Sequence, residues 1–411
     1  MNRYKVQGLT EIKKNKPANK KKNKGKAGKV LTAGRVILLT FLSLLFSFFL
    51  AINIFLYVYK PSQADEYYFD FDGEFSMSFM DHNGEFSEPS APPEDLSGDR
   101  SGDCYTFLIA GQEATGLNTD TMMFIMFNVK ENTISILNIP RDTYVSTKNY
   151  SGLINAVYAT AHNRAVRDGI PRGEEASKEG MKYLCAMIKY TFGVEVHKYA
   201  LMNLDGFKTL VDKLGGVEFD VAFRMKYTDP YQNLYIDLQP GLQTLNGDQA
   251  EQLIRFRHAD DGYPGYGRTI NGIFYPSEDI GRIQTQQRFI AALMKKILSK
   301  IDVNTIKALF EVGEEYMFTN ISLADVGWFA AKMTSVKLEN IRTHTVPTNW
   351  ISSIGRLEAY KAETVEIINK YYNPYKKDIP ETNFNIYEKD LGGLAKPEIN
   401  IDGSTLDALV N

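Results

Sequence analysis

Three short apolar stretches decide the fold of this chain: CYTFLIA at residues 104–110, TMMFIMF at residues 121–127 and TISILNI at residues 133–139. Each stretch has the length of a β-strand and the composition of a buried one. From residue 104 onward the chain is rich in such apolar runs. The three stretches therefore predict strands at the start of a globular region.

Helical patterns alternate with strands further along the chain. Apolar residues recur at steps of three and four between 181 and 192 and stop at Gly193, a residue that suits the position after a helix. A second such pattern ends at Gly215 and Gly216, and VEFDV at residues 217–221 follows as another strand. This alternation predicts an α/β fold in which helices cover a central sheet.

The longest uncharged stretch lies near the N-terminus, at residues 36–59 (VILLTFLSLLFSFFLAINIFLYVY). At about 1.5 Å per helical residue it exceeds the roughly 30 Å hydrocarbon core of a bilayer. A cleavable signal peptide has a shorter apolar region of about 7–15 residues, and Ser62-Gln63-Ala64 is only a weak cleavage site. We therefore predict a retained signal anchor that crosses the membrane once.

Charges are sharply divided between the two sides of this stretch. Residues 1–35 carry twelve Lys and Arg against the single acid Glu11, whereas residues 61–103 carry twelve Asp and Glu against the single base Arg100. The positive-inside rule places the basic tail in the cytoplasm and the main domain outside the cell. A polybasic tail can also bind nucleic acid, but beside a spanning helix it sets topology and attracts anionic lipid. The expected partner of the tail is the membrane, with no nucleic acid.

The predicted organisation is a cytoplasmic basic tail (1–35), a transmembrane signal anchor (36–59), an acidic stalk (60–103), an extracytoplasmic domain (104–373) and a C-terminal extension (374–411). A content of 44% hydrophobic residues excludes disorder over most of this length. Two cysteines and five scattered histidines have no H-E-x-x-H or similar spacing. This composition argues against a zinc hydrolase.

One predicted helix carries polar residues where its pattern calls for apolar ones. The helix begins near Asp279, and its apolar stripe at residues 290–297 continues backward through Gln286 and Arg282. Burying such groups costs several kcal/mol unless they are paired or bind a ligand. The alternative is an Asp N-cap with an Asp–Arg pair three residues apart.

Arginines also cluster at predicted element ends. Arg255-Phe256-Arg257 follows a helix that Asn246 would cap, and alternation puts both guanidinium groups on one side of an extended segment. Two neighbouring guanidinium groups repel each other unless an anion lies between them, and phosphate suits their planar geometry. A solvated basic edge is the alternative. Arg141 lies at another strand end, where α/β sheets bind their ligands.

Two carboxylates accompany these arginines. Glu113 follows the first strand and Asp120 opens the second. Mg2+ is commonly held by one or two carboxylates together with phosphate oxygens. Each residue alone is more often a loop charge, but the combination of these acids with the four arginines and Asp279 predicts a site for a metal ion and a diphosphate.

The sequence resembles the LytR-CpsA-Psr family of cell-envelope proteins from about Tyr105 to Pro347. The stretches that carry the resemblance are TDTMMFIMFN (119–128), ISILNIPRDTYV (134–145), GLINAVY (152–158), YALMNLDGFKTLVDKLGGVEFDV (199–221), PGLQTLNGDQAEQLIRFR (240–257) and DIGRIQTQQRFI (279–290). The resemblance implies a central mixed β-sheet covered by helices and an apolar tunnel for a lipid tail. It also implies a Mg2+-dependent phosphotransferase that moves an anionic glycopolymer from a polyprenyl diphosphate carrier to peptidoglycan.

The resemblance also implies roles for single residues. Asp120 and Glu113 would bind the metal, and Asp279 would orient or deprotonate the acceptor hydroxyl. The implied catalytic residues are Asp279, Arg141, Arg255, Arg257 and Arg282. The implied substrate-binding residues are Arg141, Asp142, Asn155, Arg255, Arg257, Arg282 and Gln286.

The sequence departs from the family pattern at three positions and in one insertion. Glu113 replaces the usual Asp of a Gly-x-Asp motif, and Asn118 and Thr285 stand where the family commonly has Arg. The insertion at residues 259–278 contains Arg268, which could restore a charge or belong to a polymer-binding loop. Two alternative functions stay open: a non-catalytic envelope regulator or scaffold that binds lipid-linked polymer, and a polyprenyl diphosphate hydrolase.

Overall fold

The computed structural model describes residues 44–63, 94–113, 116–147, 150–270, 273–275, 278–299, 303–389, 391 and 399–405. The chain forms two units, residues 1–60 and residues 61–411, and each is considered by itself. In the first unit a helix occupies residues 44–58, while residues 36–43 of the predicted anchor lie outside the described part. No helix within the described residues is both long enough and apolar enough to cross a membrane.

The helices are α1 (44–58), α2 (Ala156–Arg167), α3 (Glu174–Phe192), α4 (Leu204–Lys213), α5 (Gly247–Arg255), α6 (Glu278–Ser299), α7 (Val303–Tyr316), α8 (Leu323–Met333) and α9 (Lys361–Tyr371). The strands are β1 (Cys104–Gln112), β2 (Thr119–Asn128), β3 (Thr133–Asn138), β4 (Tyr144–Thr147), β5 (Tyr150–Leu153), β6 (Lys198–Met202), β7 (Val217–Val221), β8 (Met225–Asp229), β9 (Leu234–Leu238), β10 (Gly241–Leu245), β11 (Arg268–Ile270), β12 (Ile273–Tyr275), β13 (Met317–Thr319), β14 (Ile341–Thr345), β15 (Thr348–Ile351), β16 (Arg356–Ala359) and β17 (Ser404–Thr405).

The central sheet has the strand order β13-β6-β1-β2-β3-β14-β17 in the part of the chain that the structure describes. Strand β1 is parallel to β6 and β3 is parallel to β14, whereas β2 is antiparallel to both of its neighbours. The sheet is therefore mixed, as the resemblance implied, and the three strands predicted from the apolar stretches are confirmed. Strands β1, β3, β6 and β14 end at one edge, where β2 begins. We call it the upper edge.

Two large hydrophobic cores stabilise the described part of the second unit, and a small third cluster contains Ile351, Tyr360 and Leu391. The sheet core packs β1, β2 and β3 against α2, α3 and α9, and it includes the fully buried Leu108 and Phe124. Helix α3 ends at Gly193 in a left-handed conformation (φ 71°), which confirms the predicted helix end. The helical core packs α4 to α7 against β7 to β10, and Phe256 and Phe289 are fully buried in it.

The segment after α9 packs onto the sheet core. Tyr375 forms a β-bridge with Arg100, and both Ile379 and Phe384 are buried. Further along, β17 pairs with β14 at the end of the sheet. The described part of the predicted C-terminal extension therefore packs as part of the domain.

Candidate functional site

The upper edge brings two of the predicted charged groups into direct contact. Asp120 lies at the start of β2, and Arg141 lies in the turn that follows β3. The Arg141 Nη1 atom is 2.6 Å from the Asp120 Oδ1 atom, and its Nε atom is 3.4 Å from the Oδ1 atom of Asp142. The side chains of Arg141 and Asp120 are 30% and 38% exposed, so a ligand at the edge can reach both.

Main-chain hydrogen bonds hold the Arg141 turn in place. The Asn155 N–H donates to the Arg141 carbonyl (3.2 Å), and the Thr119 N–H donates to the Asn155 carbonyl (3.0 Å). On the other side, the Leu357 N–H on β16 donates to the Asp142 carbonyl (2.9 Å). The turn is thus tied to β2, to the start of α2 and to β16. Asn155 lies beside Arg141 with its side chain buried, and its predicted role in substrate binding stays a prediction.

Glu113 lies at the same edge, one residue beyond the end of β1. Its N–H donates to the Asn118 carbonyl (3.0 Å), and its carboxylate accepts a longer bond from the Asn118 N–H (3.4 Å). Asp120 and Glu113 therefore project from neighbouring strand ends. Within the described residues no group of three or more His, Cys, Asp or Glu side chains could hold a metal. Two carboxylates still suit Mg2+, which takes its remaining ligands from phosphate oxygens and water.

The Arg255–Arg257 segment follows α5, which begins with a capping box formed by Asn246 and Gln249. Phe256 is extended (φ −63°, ψ 121°) and fully buried, so it anchors the segment in the helical core. Arg255 is half-buried and Arg257 is exposed. The burial of Phe256 between the two arginines agrees with the predicted alternation, and that both guanidinium groups face one anion stays a prediction.

Side-chain partners fix Arg255 in a way that sequence reasoning missed. Its Nη1 atom donates to the Glu251 carboxylate (2.8 Å), and its Nη2 atom donates to the Gln232 side-chain oxygen (3.3 Å). The spacing of four residues between Glu251 and Arg255 is a readable helical pair. Gln232 comes from the turn between β8 and β9, and no local pattern points to it.

Helix α6 connects the Arg255 segment to the upper edge. The Gln286 amide donates to the Ile254 carbonyl (2.8 Å), directly before Arg255. One residue later, the Gln287 amide donates to the Thr345 hydroxyl (2.5 Å) at the end of β14. Helix α6 therefore contacts both the residue before Arg255 and the end of β14, and Arg282 lies one turn before Gln286 on the same helix.

The buried face of α6 differs from the predicted one. Helix α6 starts where expected, but Thr285, Phe289 and Leu293 form its buried stripe, and Arg282 and Gln286 are half-buried beside it. The prediction that Arg282 and Gln286 continue the apolar stripe was wrong by one position along the helix. The prediction failed because the buried face includes a polar residue, Thr285. A hydroxyl can be buried when it has a hydrogen-bond partner.

That partner comes from the insertion at residues 259–278. The Tyr266 hydroxyl donates to the Thr285 hydroxyl (2.9 Å), and its ring packs edge-on against Phe256 and Phe223. Burial raises the pKa of Tyr266 to about 12, although its hydrogen bond to Thr285 opposes this shift. Thr285 is therefore held by a packed tyrosine from the insertion. Arg268 is exposed on β11.

Asp279 lies in the first turn of α6, but its side chain falls outside the described residues. Its position one turn before Arg282 follows from the helix itself. Its predicted role in orienting or deprotonating an acceptor hydroxyl stays a prediction.

A cavity of about 630 Å³ extends from the end of β1 to Arg255. Gln112 and Glu113 line one side, and Arg255 and Glu251 line another. The remaining lining comes from Gly116, from the start of α4 between 203 and 208, from α5 and from residues 232–235 of the β8–β9 turn and β9. Most of these side chains are polar, so this cavity is not the apolar lipid tunnel that the resemblance implied.

Comparisons with known proteins identify the family of this chain. The sequence profile of the LytR_cpsA_psr family matches residues 75–382. The cell wall biosynthesis protein LcpA of Corynebacterium glutamicum is 28% identical over 265 residues, which cover 60% of this chain and 46% of LcpA. The polyisoprenyl-teichoic acid–peptidoglycan teichoic acid transferase TagV of Bacillus subtilis is 24% identical over 212 residues, covering 50% of this chain and 46% of TagV. The chain thus spans less than half the length of either relative.

A solved structure supports the fold independently. The protein gbs0355 from Streptococcus agalactiae superposes with a TM-score of 0.54 at 18% sequence identity, covering 70% of this chain and 93% of that one. Its likeness shows the mixed sheet flanked by helices. Because the family profile matches well over half of the sequence, this chain belongs to the LytR-CpsA-Psr family.

Proposed function

We propose that this protein is a phosphotransferase that moves an anionic glycopolymer from a polyprenyl diphosphate carrier to peptidoglycan. The observations that carry the proposal are the contact of Arg141 with Asp120 at the upper edge and the cavity that Glu113, at the neighbouring strand end, shares with Arg255. A diphosphate needs cationic groups of this kind. TagV, whose name states a teichoic acid transfer to peptidoglycan, is a relative of this chain.

In the proposed reaction, a sugar hydroxyl of peptidoglycan attacks the phosphorus that bears the glycopolymer. A new O–P bond forms, and the bond from that phosphorus to the bridging oxygen of the diphosphate breaks. Polyprenyl phosphate leaves with the bonding electrons, and the hydroxyl proton passes to a carboxylate, for which we propose Asp279. Phosphoryl transfer depends mainly on positioning and charge neutralisation, so the arginines would supply most of the acceleration.

Asp120 and Glu113 are the proposed Mg2+ ligands. When bound, Mg2+ would supply additional positive charge to the diphosphate oxygens. Asp142, Asn155 and Gln286 would position their neighbours: Asp142 and Asn155 contact the Arg141 turn, and Gln286 contacts the backbone before Arg255. We further propose that residues 36–59 anchor the protein in the cell membrane, with the catalytic domain outside the cell.

The test follows the phosphorus next to the glycopolymer, which is radiolabelled in a lipid-linked saccharide. The full-length protein in detergent is incubated with this donor, Mg2+ and peptidoglycan oligomers. Label on peptidoglycan would support transfer, whereas label released as a free sugar phosphate would identify a hydrolase. Donor that is bound but unchanged would identify the scaffold function and overturn the proposal.

A further inference from the structure

Strand β16 lies beside the Arg141 turn and contacts it through the main chain. Its Leu357 N–H donates to the Asp142 carbonyl (2.9 Å), and Leu357 also forms a parallel bridge with Thr143. Strand β16 pairs with β15 in a two-stranded sheet that is separate from the central one. Side-chain contacts with the turn can therefore decide where β16 lies.

Arg356, the first residue of β16, makes such a contact. Its guanidinium carbon lies 3.7 Å from the centre of the Tyr144 ring and 4.8 Å from the centre of the Tyr387 ring. Tyr144 is buried, and it follows Arg141 by three residues at the start of β4. A planar guanidinium group is attracted to aromatic rings, and more strongly where water is excluded. Arg356 thus joins β16 to the segment that carries Arg141.

A buried carboxylate holds the Arg356 side chain in this position. The Nε and Nη2 atoms of Arg356 lie 3.0 Å and 2.5 Å from the Oε1 atom of Glu358. The Glu358 side chain is fully buried, and that of Arg356 is 13% exposed. A buried ion pair adds little net stability, because the cost of desolvation offsets the attraction between the charges. What the pair provides is a fixed place for the guanidinium group against the two rings.

We propose that Arg356 is a positioning residue for Arg141. By contacting Tyr144 and holding Leu357 against the turn, it fixes the direction in which Arg141 meets the diphosphate. A displacement of about 1 Å in such a group can lower a rate by about a hundredfold. The effect on catalysis rests on the proposed function, whereas the hold of Arg356 on the turn does not.

The first test measures hydrogen–deuterium exchange of the full-length protein in detergent by mass spectrometry. Arg356→Lys keeps a positive charge beside Glu358 but lacks the planar group that contacts the rings. The N–H groups of Asn155 and Leu357 donate to carbonyls of the turn. Peptides that contain these two residues should exchange at least about threefold faster in the variant, because local opening becomes easier. Unchanged exchange in both peptides would overturn the proposal.

Arg342→Lys is the matched control for this measurement. The Arg342 guanidinium carbon lies 5.2 Å from the centre of the Tyr371 ring. Arg342 is level with Ser135 near the start of β3, at the opposite end of that strand from the Arg141 turn. Its substitution should leave the exchange of the two peptides unchanged. An equal acceleration in Arg342→Lys would show a general loss of stability and would also overturn the proposal.

The second test measures transfer of the labelled phosphorus with and without Arg141. In the parent background, Arg356→Lys should lower kcat/KM for the lipid-linked donor by about tenfold. In the Arg141→Ala background, the same substitution should change it by less than about twofold, because the group that Arg356 positions is gone. A variant that merely contains less folded protein loses rate equally in both backgrounds. Equal losses would therefore contradict the positioning role.

A second variant keeps both tests decisive should Arg356→Lys fail to fold. The double replacement of Arg356→Met and Glu358→Gln removes both charges and leaves no buried charge unpaired. It should show the same faster exchange and the same dependence on Arg141. If the parent transfers no phosphate, the proposed function fails, and the exchange measurement still decides whether Arg356 holds the turn.

Discussion

The proposed site has two halves: the sheet half, around Arg141, and the helical half, around Arg255. The two halves hold their arginines in different ways. In the sheet half, main-chain hydrogen bonds from Asn155 and Leu357 fix the Arg141 turn. In the helical half, Arg255 depends on the side chains of Glu251 and Gln232 and on the burial of its neighbour Phe256. Main-chain hydrogen bonds thus fix the position of Arg141, whereas side-chain contacts and packing fix the position of Arg255. The two halves should respond differently to substitution.

The largest effect is expected at Asp279 in the helical half. Asp279→Asn keeps the shape of the side chain, but it removes a proton acceptor. We expect carrier-lipid binding to persist while phosphate transfer falls by about 10²- to 10⁴-fold, the usual contribution of general base catalysis. Donor affinity and turnover are measured on the same preparation. Normal turnover would show that Asp279 is only structural.

The second prediction concerns the anchor of the helical half. Phe256→Ala removes a fully buried ring between the two arginines and should lower the free energy of unfolding by about 3–5 kcal/mol. Leu242→Ala, at an exposed position on β10, is the control and should change it by less than about 0.5 kcal/mol. Thermal and denaturant unfolding provide the measurement. Equal stability of the two variants would show that the arginine segment does not depend on packing.

The third prediction separates binding from folding in the helical half. Arg255→Ala or Arg257→Ala removes a charge-assisted contact worth about 1.5–3 kcal/mol, so phosphate transfer should fall by about 10- to 150-fold. The melting temperature should change little, because Arg257 is exposed and Arg255 is only half-buried. Calorimetric binding of lipid diphosphate is measured beside transfer. Parental affinity in both variants would mean that these arginines form a solvated basic edge.

The smallest effect is expected from the contact between the insertion and α6. Tyr266→Phe removes the hydrogen bond to Thr285 and should lower the free energy of unfolding by about 1 kcal/mol. Burial raises the pKa of Tyr266 to about 12 in the folded protein. The contribution of the un-ionised Tyr266 to the free energy of unfolding is therefore complete below pH 10 and is lost as the pH rises from 10 toward 12. Urea unfolding at pH 8 and pH 11 should therefore show a smaller loss of stability for Tyr266→Phe than for the parent. An identical loss of stability in the two proteins would show that the ionisation of Tyr266 does not cause it.

The same contrast explains how much the sequence could predict. The Arg141 turn and the acids at Glu113 and Asp120 were located correctly, because they follow directly from strand ends. The partner of Arg255 at Gln232 and the contact between Tyr266 and Thr285 were missed, because both depend on segments that are distant in sequence. Local patterns determine elements and their ends, whereas contacts across the helical core need the folded structure.

The central claim is that both halves bind one diphosphate, and a double-mutant cycle tests it most directly. Rates of transfer of the labelled phosphorus are compared for the parent, Arg141→Ala, Arg255→Ala and the double variant. If both arginines act on the same transition state, the loss in the double variant should fall short of the product of the single losses, by a coupling of at least about 0.5 kcal/mol. A loss of rate in the double variant equal to the product of the two single losses would contradict the account, because arginines at independent sites behave in that way.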